Sequence, residues 1–147
     1  MQVTVTTMDR RTVRNLVERL NRDAEQISRR FGLRYKSVTA ERANVTSRYG
    51  ICYEDGVIKI RLRHAVTGKP LKYSSLVNTL CHELAHLRYF HHGERFKSFY
   101  LQILEYARAQ RIYRPGHPAE GTASRSPARP PARDEAGSEG PVQLGLF

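Results

Sequence analysis

Apolar residues recur every three or four positions near the start of the chain, which is the spacing that places side chains on one face of an α-helix. The stripe consists of Val13, Leu16, Val17, Leu20, Ala24, Ile27 and Phe31. Gly32 follows it directly, and glycine readily adopts the left-handed conformation in which many helices end. The pattern therefore predicts one long helix that ends at Gly32.

Three short segments after this helix have the composition of β-strands. They comprise residues 33–39, 48–53 and 57–62. The last two are joined through Glu54, Asp55 and Gly56, which together suit a tight hairpin turn. We therefore predict a small sheet, mainly antiparallel, that contains this hairpin.

Two more helical patterns follow the predicted strands. The first extends over residues 74–87, and Ser74 or Ser75 is placed to cap its start. Its apolar stripe is Leu76, Val77, Leu80, Leu84 and Leu87. The second begins after Gly93 and has an apolar face. That face consists of Phe96, Phe99, Tyr100, Ile103, Leu104 and Ala107. The sum of these elements is an α+β domain with helices packed against one small sheet.

The composition of the chain changes near His117. Residues 118–147 hold five prolines, five alanines, four glycines and three serines, with almost no large apolar residue before Val142. Such a segment cannot bury enough apolar surface to fold. We therefore predict a folded domain over residues 1–117, a disordered linker over residues 118–142 and a terminal peptide over residues 143–147. We expect the protein to be a monomer.

The predicted domain is strongly basic. The chain has 25 Lys and Arg against 14 Asp and Glu, and its tail has three arginines and four acidic residues, so the net charge of residues 1–117 is +12. An excess of this size favours polyanionic partners, with nucleic acid first among them. We expect the outer face of the first helix to bind DNA without sequence preference. Its arginines are Arg10, Arg11, Arg14, Arg19, Arg22, Arg29 and Arg30.

The two cysteines, Cys52 and Cys81, are too few for a disulfide framework. The first eleven residues lack the apolar run of a signal peptide, and no segment reaches the length of a membrane span. These observations predict a cytoplasmic protein with reduced thiols, associated with the nucleoid and not with a membrane.

Residues 82–86 read His-Glu-Leu-Ala-His. Residues four apart on a helix share one face about 6 Å apart along the axis, so His82 and His86 can bind one metal ion. Glu83 lies one position away, where its carboxylate can take a proton from a water molecule that the metal activates. Cys81 points about 100° away from His82, so we assign it to the core. The pattern predicts a zinc site that supports hydrolysis.

A catalytic zinc ion takes three protein ligands and leaves the fourth position for water. His92 is the first candidate for the third ligand, because it lies where the helical pattern breaks and Gly93 allows a tight turn after it. The adjacent His91 and, on the following helix, Glu105 are the alternatives.

The segment around these residues resembles the SprT-like and YgjP-like zinc metallopeptidases. The likeness begins with Ser-Arg-Tyr-Gly-Ile-Cys-Tyr at residues 47–53 and includes the hairpin. It continues through His-Glu-Leu-Ala-His-Leu-Arg-Tyr-Phe-His-His-Gly-Glu-Arg-Phe at residues 82–96 and covers roughly residues 8–112. Tyr49 departs from the YgjP-like pattern, which has tryptophan before the glycine.

This resemblance implies a small zincin-type domain with Zn²⁺ as cofactor. By the same match, His82, His86 and His92 would be the zinc ligands, Glu83 the catalytic acid and base, and Phe96 a packing residue. Because SprT-like families include DNA-dependent proteases, the resemblance also implies a protease that acts on proteins bound or crosslinked to DNA.

The last five residues, Gln-Leu-Gly-Leu-Phe, resemble the peptide with which bacterial proteins bind the sliding clamp. In that peptide the apolar side chains fill a pocket on the clamp and the glutamine amide fixes the register. The corresponding residues are Gln143, Leu144, Leu146 and Phe147. Gly145 departs from the usual serine or aspartate at the middle position.

Three classes of function are therefore compatible with the sequence. The first is a zinc protease directed to DNA, and the second is a zinc-stabilised adaptor for DNA or the clamp that has no activity. The third is a zinc hydrolase of nucleotides. The group that stabilises the oxyanion is not identified by the sequence. Its candidates are several arginines and Tyr89, Tyr100, Tyr106 and Tyr113.

Overall fold

The computed structural model describes residues 8–116, which fold into three helices and a three-stranded sheet. In chain order the elements are α1 (Arg10–Phe31), β1 (Ser37–Ala40), β2 (Gly50–Cys52), β3 (Val57–Ile60), α2 (Tyr73–His86) and α3 (Glu94–Ala109). The predicted α+β class is confirmed. The predictions made for residues 118–142 and 143–147 lie outside the described residues.

The first helix has the ends that its sequence predicts. The side chain of Asp9 accepts a hydrogen bond from the backbone N–H of Thr12 at 2.8 Å and so caps the start of α1. Gly32 ends the helix in the left-handed conformation, with φ of 67°, and its N–H donates to the carbonyl of Ser28. The apolar stripe faces inward, and Leu20, Ala24 and Ile27 are fully buried. The remaining stripe residues, Val13, Leu16, Val17 and Phe31, are partly buried against the core.

The sheet has the strand order β1-β3-β2. The predicted hairpin is present, because β2 and β3 pair antiparallel and Gly56 occupies the turn with φ of 96°. The first strand joins from the other side, with β1 parallel to β3. The sheet is therefore mixed, with β3 in the centre and β2 at the edge.

The second helix begins one residue earlier than predicted, and the predicted cap by Ser74 or Ser75 is wrong. Its N-cap is Lys72, which makes no side-chain cap hydrogen bond. Tyr73 belongs to the first turn because its hydroxyl donates to Asp23 on α1 at 2.6 Å. This contact between two helices overrides the local preference of serine for the cap position.

The core lies where α1 and α2 meet the sheet, and α3 closes it by packing on both helices. The buried side chains of α3 are Phe96, Phe99, Ile103 and Ala107, which confirms the predicted apolar face. Cys81 is fully buried within this core, as predicted, and both cysteines are free thiols. In residues 8–116, no helix has the length and apolar character that crossing a membrane requires.

Gly50 lies where the edge strand β2 passes close to α2. A Cβ atom at this position would lie 2.7 Å from Cγ2 of Thr79 and 3.2 Å from both Cγ of Glu83 and the carbonyl oxygen of Lys59. The first distance is well inside the ordinary separation of two carbon atoms. Glycine therefore permits the observed spacing between the strand and the helix.

Replacing Gly50 with alanine should lower the free energy of unfolding by about 1–3 kcal/mol, which is the usual cost of overpacking a tight contact. Urea denaturation measures this change. Gly116→Ala is the matched control, because a Cβ atom there meets nothing within 4 Å. Equal stability of Gly50→Ala and the wild type would show that the strand moves away from α2 without cost.

Candidate metal centre

The last turn of α2 brings His82 and His86 together, as their spacing predicts. The centroids of the two rings are 5.0 Å apart. After α2 the chain turns back through residues 87–93, and this turn carries His92 to the same place. The distance from Nε2 of His92 is 3.0 Å to Nε2 of His86 and 3.2 Å to Nε2 of His82.

These distances fit a metal ion. Two nitrogen atoms bound tetrahedrally to one zinc ion at about 2.0–2.1 Å are about 3.3 Å apart, close to the two separations observed here. All three donor atoms lie within 4.8 Å of one another. Three imidazoles leave the fourth tetrahedral position to water or substrate, as in catalytic sites.

The protonation of the histidines also suits a metal. Nδ1 of His86 lies 3.1 Å from the carbonyl oxygen of Tyr89. A carbonyl only accepts, so in the neutral ring Nδ1 donates this bond and Nε2 keeps its lone pair for a metal.

Burial lowers the pKa of each of the three histidines, and the neighbouring imidazoles lower those of His82 and His86 further. For His86 the pKa falls to about 4. For His92 the smaller contributions come from His91 and Lys97. The three rings are therefore neutral near pH 7, the form that binds metal ions.

Two aromatic residues of α3 form a wall beside the histidines. The ring of Phe96 stacks on His86 with centroids 4.5 Å apart, and it contacts His82 at 5.0 Å and His92 at 4.9 Å. Tyr100 stands edge-on to His82 at 5.5 Å, and its hydroxyl donates to the side-chain oxygen of Asn78. The wall restricts the ring orientations, so Phe96 does more than the helix packing that the sequence implied.

Glu83 lies under the edge strand and is 6% exposed. Burial raises its pKa to about 8, and the positive charge of Arg48 acts in the opposite direction. Arg48 in turn forms an ion pair with the buried Glu41, with 2.7 Å between Nη2 and Oε2. Arg48 and Glu41 could not be singled out from the sequence, because an ion pair between loop residues leaves no periodic signal.

The alternative third ligands are placed elsewhere. Within residues 8–116, the only cluster of three potential metal ligands consists of the three histidines described above. His91 and His92 are both exposed, but only His92 belongs to the cluster, and the carboxylate of Glu105 faces solvent near Arg108 at 3.9 Å. The structure therefore favours His92 over both alternatives.

The four candidate tyrosines for the oxyanion have different surroundings. The ring of Tyr100 contacts His82, with the two centroids 5.5 Å apart. Tyr89 packs on Phe99 at 5.8 Å, and Tyr106 packs on Phe31 at 5.6 Å. Tyr113 lies under the guanidinium of Arg108 at 5.5 Å. Among the four, Tyr100 is therefore the candidate to consider first.

The arginines of α1 are exposed, as predicted, but they do not form one narrow stripe. At 100° per residue they spread over about 200° of the helix circumference. Three of them contact neighbouring side chains of the protein. Arg19 lies 3.7 Å from the ring centroid of Tyr73, Arg29 pairs with Glu25 at 2.6 Å, and Arg30 lies 5.1 Å from the Phe31 centroid.

The arrangement of the three helices and the small mixed sheet is similar to the fold of solved Wss1 structures. A Wss1 mutant from Saccharomyces cerevisiae matches with a TM-score of 0.64 and 14% identity, over 75% of this chain and 91% of that one. Wss1 from S. pombe matches with a TM-score of 0.57 and 20% identity, over 70% and 86% of the two chains. At these identities the likeness shows the fold alone.

The family follows from the sequence itself. The model of the WLM domain matches residues 6–139, so the chain belongs to the WLM domain family. None of the curated protein sequences matches it significantly. The histidine segment alone resembles several SprT-like and YgjP-like families, and the match over residues 6–139 selects the WLM domain family among such proteins.

We expect His92→Ala to lower zinc affinity by more than the roughly 10–100-fold that the loss of an outer-shell partner costs, because a direct ligand is removed. Competition with a fluorescent chelator measures the affinity. His91→Ala and Glu105→Ala are the matched controls and should bind one zinc ion per chain like the wild type. Loss of zinc in either control, with full binding in His92→Ala, would contradict the assignment.

Proposed function

We propose that this protein is a zinc-dependent metalloprotease that cleaves proteins bound or crosslinked to DNA. The observation that carries the proposal is the convergence of three histidine Nε2 atoms, together with the burial of Glu83, the residue that follows His82 on α2. Membership of the WLM domain family and the SprT-like character of the same segment support the protease class.

Zinc is the metal that the donor set favours. Three neutral imidazoles suit a borderline ion with tetrahedral preference, whereas magnesium and calcium require oxygen ligands. When bound, zinc supplies Lewis acidity to the attacking water and to the scissile carbonyl.

The side chain of Glu83 carries the proton in this proposal. The positive charge of a bound zinc ion would lower the raised pKa of Glu83 again. The ionised carboxylate would then accept a proton from the attacking water and later deliver it to the nitrogen of the leaving amine. Gly50 keeps the edge strand close to this carboxylate, and burial excludes bulk water from it. A structural zinc site needs no general base, so Glu83 argues against an adaptor without activity.

The proposal that the protease acts at DNA rests on the positive charge of the domain. A net charge of +12 over residues 1–117 attracts the phosphate backbone without regard to sequence. The exposed arginines of α1 provide one part of this surface. A protein of this kind would work at the nucleoid in the cytoplasm.

We also propose that residues 143–147 bind the bacterial sliding clamp, with residues 118–142 as a tether. The support is the sequence likeness, because these residues lie outside the structure described here. A tether of 25 residues would span roughly 25–30 Å, enough for the domain to reach DNA beside the clamp.

Glu83→Gln should retain zinc and lose about 10²–10⁴-fold in cleavage rate, because the amide keeps the shape of the side chain but cannot accept a proton. The assay follows cleavage of a protein crosslinked to a single-stranded oligonucleotide, and of the same protein without DNA. Glu105→Gln is the matched control, since its carboxylate is exposed and away from the histidines. Unchanged cleavage by Glu83→Gln would refute the proposed mechanism.

Leu146→Ala and Phe147→Ala should each weaken binding to a bacterial sliding clamp about tenfold or more, because each buried apolar side chain contributes about 1.5–3 kcal/mol. Calorimetric titration of the full-length protein into the clamp measures the affinity. Gly145→Ser is the matched control and should bind at least as well as the wild type. Absence of heat with the wild type would show that the likeness is coincidental.

A further inference from the structure

A cavity of about 390 Å³ lies on the side of the sheet where β3 ends. Its walls are the loop of residues 61–68, the end of β1 with Glu41, and Val13 near the start of α1. This cavity, the arginine cleft, is lined by Arg61 and Arg63. Neither residue takes part in the candidate metal centre.

Arg61 is buried in an unusual state, with an exposed fraction of 6%. Its Nε and Nη1 atoms are shielded from solvent and have no hydrogen-bond partner. Its carbon Cζ lies 4.3 Å from the ring centroid of Tyr49. Burial lowers the pKa of Arg61, and the contact with Tyr49 acts in the opposite direction.

Two neighbouring arginines also have buried N–H groups without a hydrogen-bond acceptor. The Nε atoms of Arg48 and Arg63 are buried and have no hydrogen-bond partner. Among residues 8–116, four of the five buried side-chain atoms without a partner belong to Arg48, Arg61 and Arg63. The unmet donors are therefore concentrated in one place.

Negative charge does not balance these groups. The cleft contains one carboxylate, that of Glu41, and it is already paired with Arg48 at 2.7 Å. Arg63 donates from Nη2 to the carbonyl oxygen of Met8 at 3.3 Å, which is a neutral partner. Buried N–H groups without an acceptor cost stability, so an anion that accepts hydrogen bonds from them would be favoured here.

We propose that the arginine cleft binds a phosphodiester group of a DNA strand. A guanidinium presents several N–H groups in a planar fork, and phosphate oxygens accept such bonds in pairs. The inference rests on the proposed action on DNA-bound proteins. It adds the place on the protein at which the DNA strand is bound.

The surroundings of the cleft favour a strand over a free phosphate. Arg10 and Arg14 flank Val13 on α1, so the positive surface continues from the cleft along the helix. Tyr49, whose ring contacts Arg61, is 58% exposed, and an exposed aromatic ring offers a platform for a base. A strand can therefore find contacts near the cleft in addition to those of the phosphate.

Nuclear magnetic resonance of the full-length protein provides the first test. A single-stranded oligonucleotide should shift the backbone amide signals of residues 61–68, and inorganic phosphate should shift the same signals at higher concentration. No shift with the oligonucleotide would overturn the proposal. A shift with inorganic phosphate alone would show that the cleft takes free phosphate and would overturn the assignment to DNA.

Variants provide the second test. Arg61→Met and Arg63→Gln should each weaken oligonucleotide binding about tenfold at 0.1 M salt and reduce the salt slope by about one, as expected for one lost phosphate contact. Arg108→Gln is the matched control and should bind DNA with wild-type affinity. Arg108 lies on α3, near the end of α1 that is farther from the cleft. DNA binding that is equal in both cleft variants and the wild type would overturn the inference and leave the proposed function intact.

The fold and the proposed function are checked separately. Zinc content reports on the metal centre, and the melting temperature of Arg61→Met should not fall, because a buried guanidinium without an ionic partner is replaced by an apolar side chain. If Arg61→Met melts early, Arg63→Gln alone decides the question, since Arg63 is only partly buried. A wild-type protein that cleaves its substrate but binds no DNA would overturn both the cleft and the DNA-directed part of the function.

Discussion

The packing of α2 between the sheet and α3 is the constraint on which the candidate metal centre depends. One side of the helix is buried through Leu76, Leu80 and Leu84, and this fixes its rotation about its own axis. With that rotation set, the two histidines of the last turn face α3. The metal-binding geometry is therefore a consequence of core packing, and the turn that follows the helix has only to supply one more imidazole.

The surroundings of the centre act on its chemistry in two ways. The aromatic wall of Phe96 and Tyr100 covers part of the imidazole rings and restricts their orientations. On the opposite side the edge strand covers Glu83, and Gly50 allows this strand to approach closely. The carboxylate is thus in a less polar environment than the solvent, where its protonation depends strongly on nearby charge.

The sequence predicted those parts of the structure that depend on local chemistry. Gly32 ends α1 and Gly56 turns the hairpin because both positions require positive φ, and the spacing of the histidines on α2 follows from helix geometry. The start of α2 was mispredicted because the hydrogen bond from Tyr73 connects two elements that are distant in sequence.

The same limit applies to the arrangement of the strands and the arginines. The parallel pairing of β1 with β3, and the grouping of Arg48 with Arg61 beside one carboxylate, depend on contacts across the fold. A periodic pattern in one segment carries no information about them. The convergence of His92 with the other two histidines could be anticipated only as far as a short turn restricts where the chain can go.

The candidate ligands and the proposed general base all lie within residues 82–92. A loop this short costs little entropy to close, so an unfolded chain also keeps the three imidazoles near one another. A ligand stabilises a fold only to the extent that it prefers the native over the unfolded chain. Metal binding to this protein therefore contributes less to folding stability than it would if the ligands came from distant segments. The apolar core, with α1 and the sheet, carries the stability of the fold.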